Sequence, residues 1–167
     1  LQTVQRLAPV AAKCVVPATL AHATDGDLSN SAQGVFCDDG QQSVTYDMGV
    51  PTALVAFEYA YCAPPGATTG AVRDFAIAAS DREDGGFAQL LNGSLAASRP
   101  EGTAVRFPFT AAAQQAMAPQ RYWRFTALDN HGGTSAYYFC ELRFVEEAGA
   151  TVCDACAPGR SKAEPGF

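Results

Sequence analysis

The strongest constraint on this chain is a run near its end, Arg121 to Glu147, which reads RYWRFTALDNHGGTSAYYFCELRFVEE. Apolar and polar residues alternate through Arg121–Leu128 and again through Tyr137–Val145, with Asp-Asn-His-Gly-Gly between the two runs. Side chains alternate sides along a strand, so each run can bury one face, and two such runs around a Gly-containing linker predict a hairpin. Trp123, Phe125 and Ala127 share a face in the first run. In the second, Tyr138, Cys140, Leu142 and Phe144 share one face, with Tyr137, Phe139, Glu141, Arg143 and Val145 on the other.

Shorter runs of the same kind precede it. Ser43–Met48 groups Val44, Tyr46 and Met48, Ala53–Cys62 groups Val55, Phe57, Tyr59 and Tyr61, and Val72–Ser80 groups Phe75, Ile77 and Ala79. Phe87–Leu91 follows an Asp-Gly-Gly turn, and Val105, Phe107 and Phe109 mark a strand that Pro108 confines to an edge. Ala111–Ala118 is good for one or two helical turns before Pro119. Seven or so short strands with almost no helix predict an all-β, antiparallel sandwich or barrel. Residues 1–17 read as an edge strand or an extended lead-in, 18–148 as the sandwich, and 149–167 as the start of a further cysteine-rich module.

Composition narrows the function classes. The net charge is −6, from 11 basic and 17 acidic residues, and no basic patch forms. Nucleic-acid binding therefore has no electrostatic support. No apolar run reaches the roughly 18 residues that span a bilayer, and no leader peptide is visible. Six cysteines without metal-ligand spacing predict disulfides and an oxidising compartment, extracellular or at the cell surface. The sequon Asn92-Gly93-Ser94, in a turn-like stretch, agrees with a secretory route and makes Asn92 a glycosylation candidate. Nine Arg against two Lys and abundant Ala point to a GC-rich coding sequence, and a surface or flagellar-hair glycoprotein is one home for it.

A resemblance emerges from the order of these pieces: Asp25-Gly26-Asp27, then Val44-Thr45-Tyr46-Asp47-Met48-Gly49, then Asp74-Phe75-Ala76-Ile77-Ala78-Ala79-Ser80-Asp81. Gly86-Phe87, Arg121-Tyr122-Trp123-Arg124-Phe125, Gly132-Gly133 and Glu141-Leu142 follow in turn. Over about residues 18–148 the chain resembles the discoidin family, the coagulation-factor C-type domains of the galactose-binding-like superfamily. The resemblance implies a jelly-roll β-sandwich without catalytic activity that recognises ligands, often glycans, with loops at one end. The tail, Cys153-Asp154-Ala155-Cys156, is similar to the opening of ephrin-receptor-like cysteine-rich repeats.

The resemblance also implies a structural Ca²⁺ site. Its ligands map to Asp25, Asp27, Asn30 and Glu141, with the backbone carbonyl of His22; Asn30 stands where the family usually has Thr. Carboxylates and carbonyls are the hard oxygen donors that Ca²⁺ takes. The plainer reading is an Asp-rich turn with Glu141 as an ion-pair partner. Glycan-binding relatives use an aromatic platform with His, Arg or Asn donors, and here Asn130, His131, Arg73, Tyr59 and Tyr61 are the candidates. The plainer reading of those is polar loop residues and core tyrosines. For the cysteines, Cys37 pairs with Cys62 across neighbouring loops, and Cys14 with Cys140 pins the entering segment to the closing strand.

No nucleophile elbow, phosphate-binding loop or zinc-protease motif is present, so the chain reads as non-catalytic. Two function classes remain. In the first, the module makes protein contacts within an extracellular assembly, with other proteins or further copies of its own mosaic chain. In the alternative it is a lectin-like module that binds glycan through the loops at one end.

Overall fold

A computed structural model describes residues 2–3, 7–15, 17–29, 31–35, 42–62, 70–97, 99–116, 118–132 and 136–146. Asn30, Cys37, Cys153, Cys156 and the tail module expected at 149–167 lie outside the described residues.

The strands are β1 (Gln2–Thr3), β2 (Ala8–Lys13), β3 (Ala32–Val35), β4 (Gln42–Thr52), β5 (Leu54–Ala60) and β6 (Val72–Ser80). They continue with β7 (Ala88–Ser94), β8 (Ala104–Pro108), β9 (Gln120–Asn130), β10 (Ala136–Phe139) and β11 (Glu141–Glu146). A 3-10 helix occupies Pro17–Ala23, and the short helix α1 occupies Ala111–Ala116, with the Thr110 hydroxyl accepting from the Ala113 N–H at 3.1 Å as its cap. One sheet runs β1-β11-β5-β8, the other β2-β4-β9-β6-β7, and β3 pairs with β10 in a small ribbon. Every strand pairing is antiparallel. The result is the β-sandwich that the strand pattern predicts.

The two sheets meet face to face through aromatic rings. Phe57 on β5 lies 5.3 Å from Phe75 on β6 and 5.9 Å from Phe125 on β9, while Phe144 on β11 lies 5.7 Å from Tyr46 on β4. Trp123 is fully buried between Phe109 and Phe144 and gives its indole N–H to the Gln120 carbonyl at 3.1 Å. The inward sets expected for β4, β6 and β9 are the buried ones. Close packing reaches the edge: a Cβ on Gly93 would come within 2.3 Å of the Phe75 ring, so only glycine fits there.

Three expectations need correction. The final hairpin does not form: β9 pairs with β4 and β6, while β11 lies in the opposite sheet between β1 and β5. Both edges of β9 are already taken, so the linker crosses between sheets. The second run also breaks in two. Tyr137 and Phe139 are buried on β10, but Leu142 and Phe144 are buried on β11, a phase change that marks a bend at Cys140.

Residues 1–17 supply edge strands of both sheets, β1 beside β11 and β2 beside β4. The disulfide pairing differs as well. Cys62 is bonded to Cys140 with Cα atoms 5.4 Å apart, replacing both the Cys37–Cys62 and the Cys14–Cys140 pairings. Antiparallel register places Ala60 opposite Glu141, so the residues just beyond those ends, Cys62 and Cys140, become neighbours. Cys14 is itself disulfide-bonded.

Candidate functional site

The pairing of the strands brings two charged corners to the same end of the sandwich. The first is built on the ends of β6, β7 and β9. Val72 pairs with Asn130 and Asp74 with Ser94, so Arg73, Asp74, Ser94, Asp129 and His131 come from strand ends that the sheet aligns. The Arg73 guanidinium donates to Asp74 Oδ2 at 3.0 Å and also ion-pairs with Asp129. Ser94 Oγ donates to Asp74 Oδ1 at 2.6 Å. These bonds hold the Asp74 carboxyl below its ordinary range, the Ser94 hydroxyl most and Arg73 next.

His131 Nε2 lies 2.9 Å from the Leu95 carbonyl, which can only accept, so Nε2 carries the proton and Nδ1 is the acceptor of the neutral ring. Backbone bonds fix the turn around it: Gly70 N–H donates to the His131 carbonyl and His131 N–H to the Ala71 carbonyl, both at 2.8 Å.

Arg73 and His131 are thus brought together on an accessible rim, half-buried or exposed. The other three candidates are placed differently. Asn130 is the last residue of β9, buried at 2% exposure, rather than a loop donor. Tyr59 and Tyr61 are buried and meet edge to face at 5.1 Å. The Tyr59 hydroxyl accepts from the Cys140 N–H at 2.9 Å, and the Tyr61 hydroxyl donates to the Ala96 carbonyl at 3.2 Å. They brace the end of the core and offer no platform for a sugar ring. A pocket of about 20 Å³ opens over them, walled by Arg99, Tyr138 and the Cys62–Cys140 bridge. That volume holds about one water molecule.

Asp74, Asp129 and Ser94 escaped the sequence reading. Asp129 stands beside Asn130 in the predicted linker, but nothing in the order of residues shows that Arg73 crosses to it.

The second corner surrounds Glu141, the first residue of β11. Gly26 adopts a positive φ of 79°, a backbone geometry that suits glycine, and its N–H donates to Glu141 Oε2 at 3.2 Å. The early aspartate turn and the late glutamate therefore meet. Burial pushes the Glu141 carboxyl up to about 7; the Gly26 N–H and Arg143 oppose this, and the Asp25 charge adds to it. The Tyr46 hydroxyl is fully buried without a hydrogen-bond partner among the described residues, and burial followed by the Glu141 charge disfavours its ionisation.

Asp27 faces elsewhere: its Oδ1 accepts from Ser29 N–H at 2.8 Å and from Ser29 Oγ at 2.7 Å. His22 Nδ1 lies 3.3 Å from the Ser31 carbonyl, and its ring is not turned to Glu141 by any of these bonds. Among the described residues no three His, Cys, Asp or Glu side chains gather as a metal-binding group. What reaches Glu141 is the Gly26 N–H, with the Asp25 charge close enough to be felt; carboxylates of this kind are the hard oxygen donors that Ca²⁺ takes. A cation there would relieve a buried carboxylate held against a like charge.

This two-sheet architecture has counterparts among solved structures. The chain superimposes on the third family 32 carbohydrate-binding module of a family 31 glycoside hydrolase from Clostridium perfringens with a TM-score of 0.68. The match has 19% identity and covers 86% of this chain and 93% of that one. This chain has the galactose-binding-like fold of the family 32 modules.

A second Clostridium perfringens module, CpGH89CBM32-5, solved with GalNAc-β-1,3-galactose, gives a TM-score of 0.63 at 18% identity over 81% of this chain and 92% of that chain. The family 32 module of AlyQ, solved with 4,5-unsaturated mannuronic acid, gives 0.62 at 17% identity over 85% and 99%. No protein-family model matches the sequence, and no curated protein does. The expected discoidin-type, galactose-binding-like sandwich is therefore the fold observed. No helix of the described residues is long and apolar enough to cross a membrane.

Proposed function

We propose that this galactose-binding-like sandwich is a non-catalytic, extracellular carbohydrate-binding module that takes a neutral sugar on the rim formed by Arg73, Asp74, Asp129 and His131. The observation that supports it is the convergence of these donors and acceptors on one rim of a fold that serves glycan binding in its structural counterparts. Sugar hydroxyls both donate and accept. Carboxylates can accept from them, the guanidinium can donate to them, and His131 Nδ1 can accept.

Charge balance selects the sugar class. Arg73 is already engaged by two carboxylates, which disfavours a uronic acid at Arg73, whereas a neutral sugar need only share the network. Titration calorimetry with galactose, N-acetylgalactosamine and a mannuronic acid oligomer tests this. Heat from a neutral sugar, lost in Arg73→Ala, supports the reading; silence with all three removes it.

The reading as a contact module in a larger assembly rests on a separate observation: Tyr59 and Tyr61 are buried and the pocket above them holds about one water, so among the described residues these two rings line no sugar-sized slot. A silent calorimeter together with a stable complex between this module and a neighbouring extracellular chain would favour it. In either role Ca²⁺ held by Asp25, Glu141 and turn carbonyls would staple the N-terminal turn to β11 by neutralising the buried carboxylate.

A further inference from the structure

A sheet edge is a row of unpaired N–H and C=O groups, and proteins guard such edges with charge, proline or brevity. Four strands end the two main sheets here, and three carry such a device. β1 has only two residues, β2 contains Pro9 and Lys13, and β8 contains Arg106 and Pro108. β7 is the exception. Its seven residues, Ala-Gln-Leu-Leu-Asn-Gly-Ser, include no charge and no proline, and Leu90 and Leu91 are only partly buried against the core. Its one irregularity, a bulge at Leu90 opposite Ile77 and Ala78, twists only that end of the edge and leaves Leu91–Ser94 a regular run with no partner strand on its outer side among the described residues.

On that run stands the sequon. It lies in a strand, not in the turn the local sequence suggests. Gly93 pairs with Phe75 and faces the core, so its neighbour Asn92 points to the outer face, where it is exposed. We infer that Asn92 carries an N-linked oligosaccharide that covers the open edge of β7, in place of the charge, proline or brevity of the other three edge strands.

The co-reactant is a lipid-diphosphate-linked oligosaccharide of the secretory lumen. Asn92 Nδ2 forms a bond to the anomeric carbon of its first sugar, the bond from that carbon to the diphosphate oxygen breaks, and the amide loses one proton as the lipid diphosphate departs. In the folded sheet the Ser94 hydroxyl is bonded to Asp74 and Asn92 is paired to Ala76, so transfer precedes the closing of β7 on β6.

The test uses the whole chain secreted from a eukaryotic host. Intact mass spectrometry should show one glycan, removed by an N-glycosidase, absent in Asn92→Gln and Ser94→Ala, and retained in Ser94→Thr, which keeps a hydroxyl. An unmodified wild-type chain overturns the inference. Sedimentation velocity then tests the edge. Asn92→Gln should self-associate at concentrations where the glycosylated chain stays monomeric, and adding Gln89→Lys to it should restore the monomer. A monomeric Asn92→Gln, with wild type glycosylated, would overturn the guarding role.

Discussion

The two charged corners share one end of the sandwich and nearly the same chemistry, yet they behave in opposite ways. At the Arg73 corner one guanidinium and two carboxylates lie in or near water, and Arg73 pairs with both acids. At the Glu141 corner a carboxylate is buried at 6% exposure, with one backbone N–H from Gly26 and a like charge at Asp25. Desolvation separates them. The polar groups of the exposed corner keep their solvation, while the buried one is stabilised by whatever removes or balances its charge.

The sharpest way to break the contrast is to cut what joins the corners. The Cys62–Cys140 bridge closes a sequence separation of 78 residues and walls the small pocket between them. Replacing both cysteines by alanine should cost roughly 4 kcal/mol in the chain-entropy account, read by chemical denaturation. Sugar binding at the Arg73 corner and the titration of Glu141 should weaken together; a change in only one would show that the corners are independent.

Next in size is the pH response of the buried corner, measured with chelator present. The folded pKa of Glu141 lies above its ordinary 4.5, so the fold favours the protonated form. This group's contribution is fully present below about 4.5, declines as pH rises towards about 7, and is constant above that. The decline should amount to about 3 kcal/mol and vanish in Glu141→Gln. A wild type and variant with the same slope would remove Glu141 from the account.

Calcium should then act on this corner alone. At a hundredfold excess over its dissociation constant Ca²⁺ would add about 2.7 kcal/mol to stability, flatten the pH slope, and do neither in Glu141→Gln. Equal melting temperatures with Ca²⁺ and with chelator would end the case for the ion. The smallest effect belongs to the exposed corner: Arg73→Ala should change stability by less than about 1 kcal/mol while abolishing sugar binding. A large loss of stability there would mean that the rim is a structural brace.

Legibility from sequence followed the same divide. Asp25 and Glu141 were paired by the resemblance, and Gly26 does link that turn to Glu141. Arg73 and His131 were singled out by residue type, and they do lie together, but their partners Asp74, Asp129 and Ser94 were invisible because only strand pairing brings them close. Tyr59 and Tyr61 were read as a platform from their shared face. Phenol rings suit either a core or a sugar, and only burial separates the two roles.

Local pattern alone settled which side chains point inward. Val44, Tyr46 and Met48, then Phe75, Ile77 and Ala79, then Trp123, Phe125 and Ala127 are buried as their alternation demands, because a strand's geometry makes every second residue a neighbour on one face. Tertiary structure decided which strand lies beside which. Backbone hydrogen bonds are the same for every partner, so alternation could not show that β9 would take β4 and β6 in one sheet while β11 joined β5 in the other. That choice was made by the rings of Phe57, Phe75, Phe125 and Phe144 packing between the layers, and with it came the cysteine pairing and both corners.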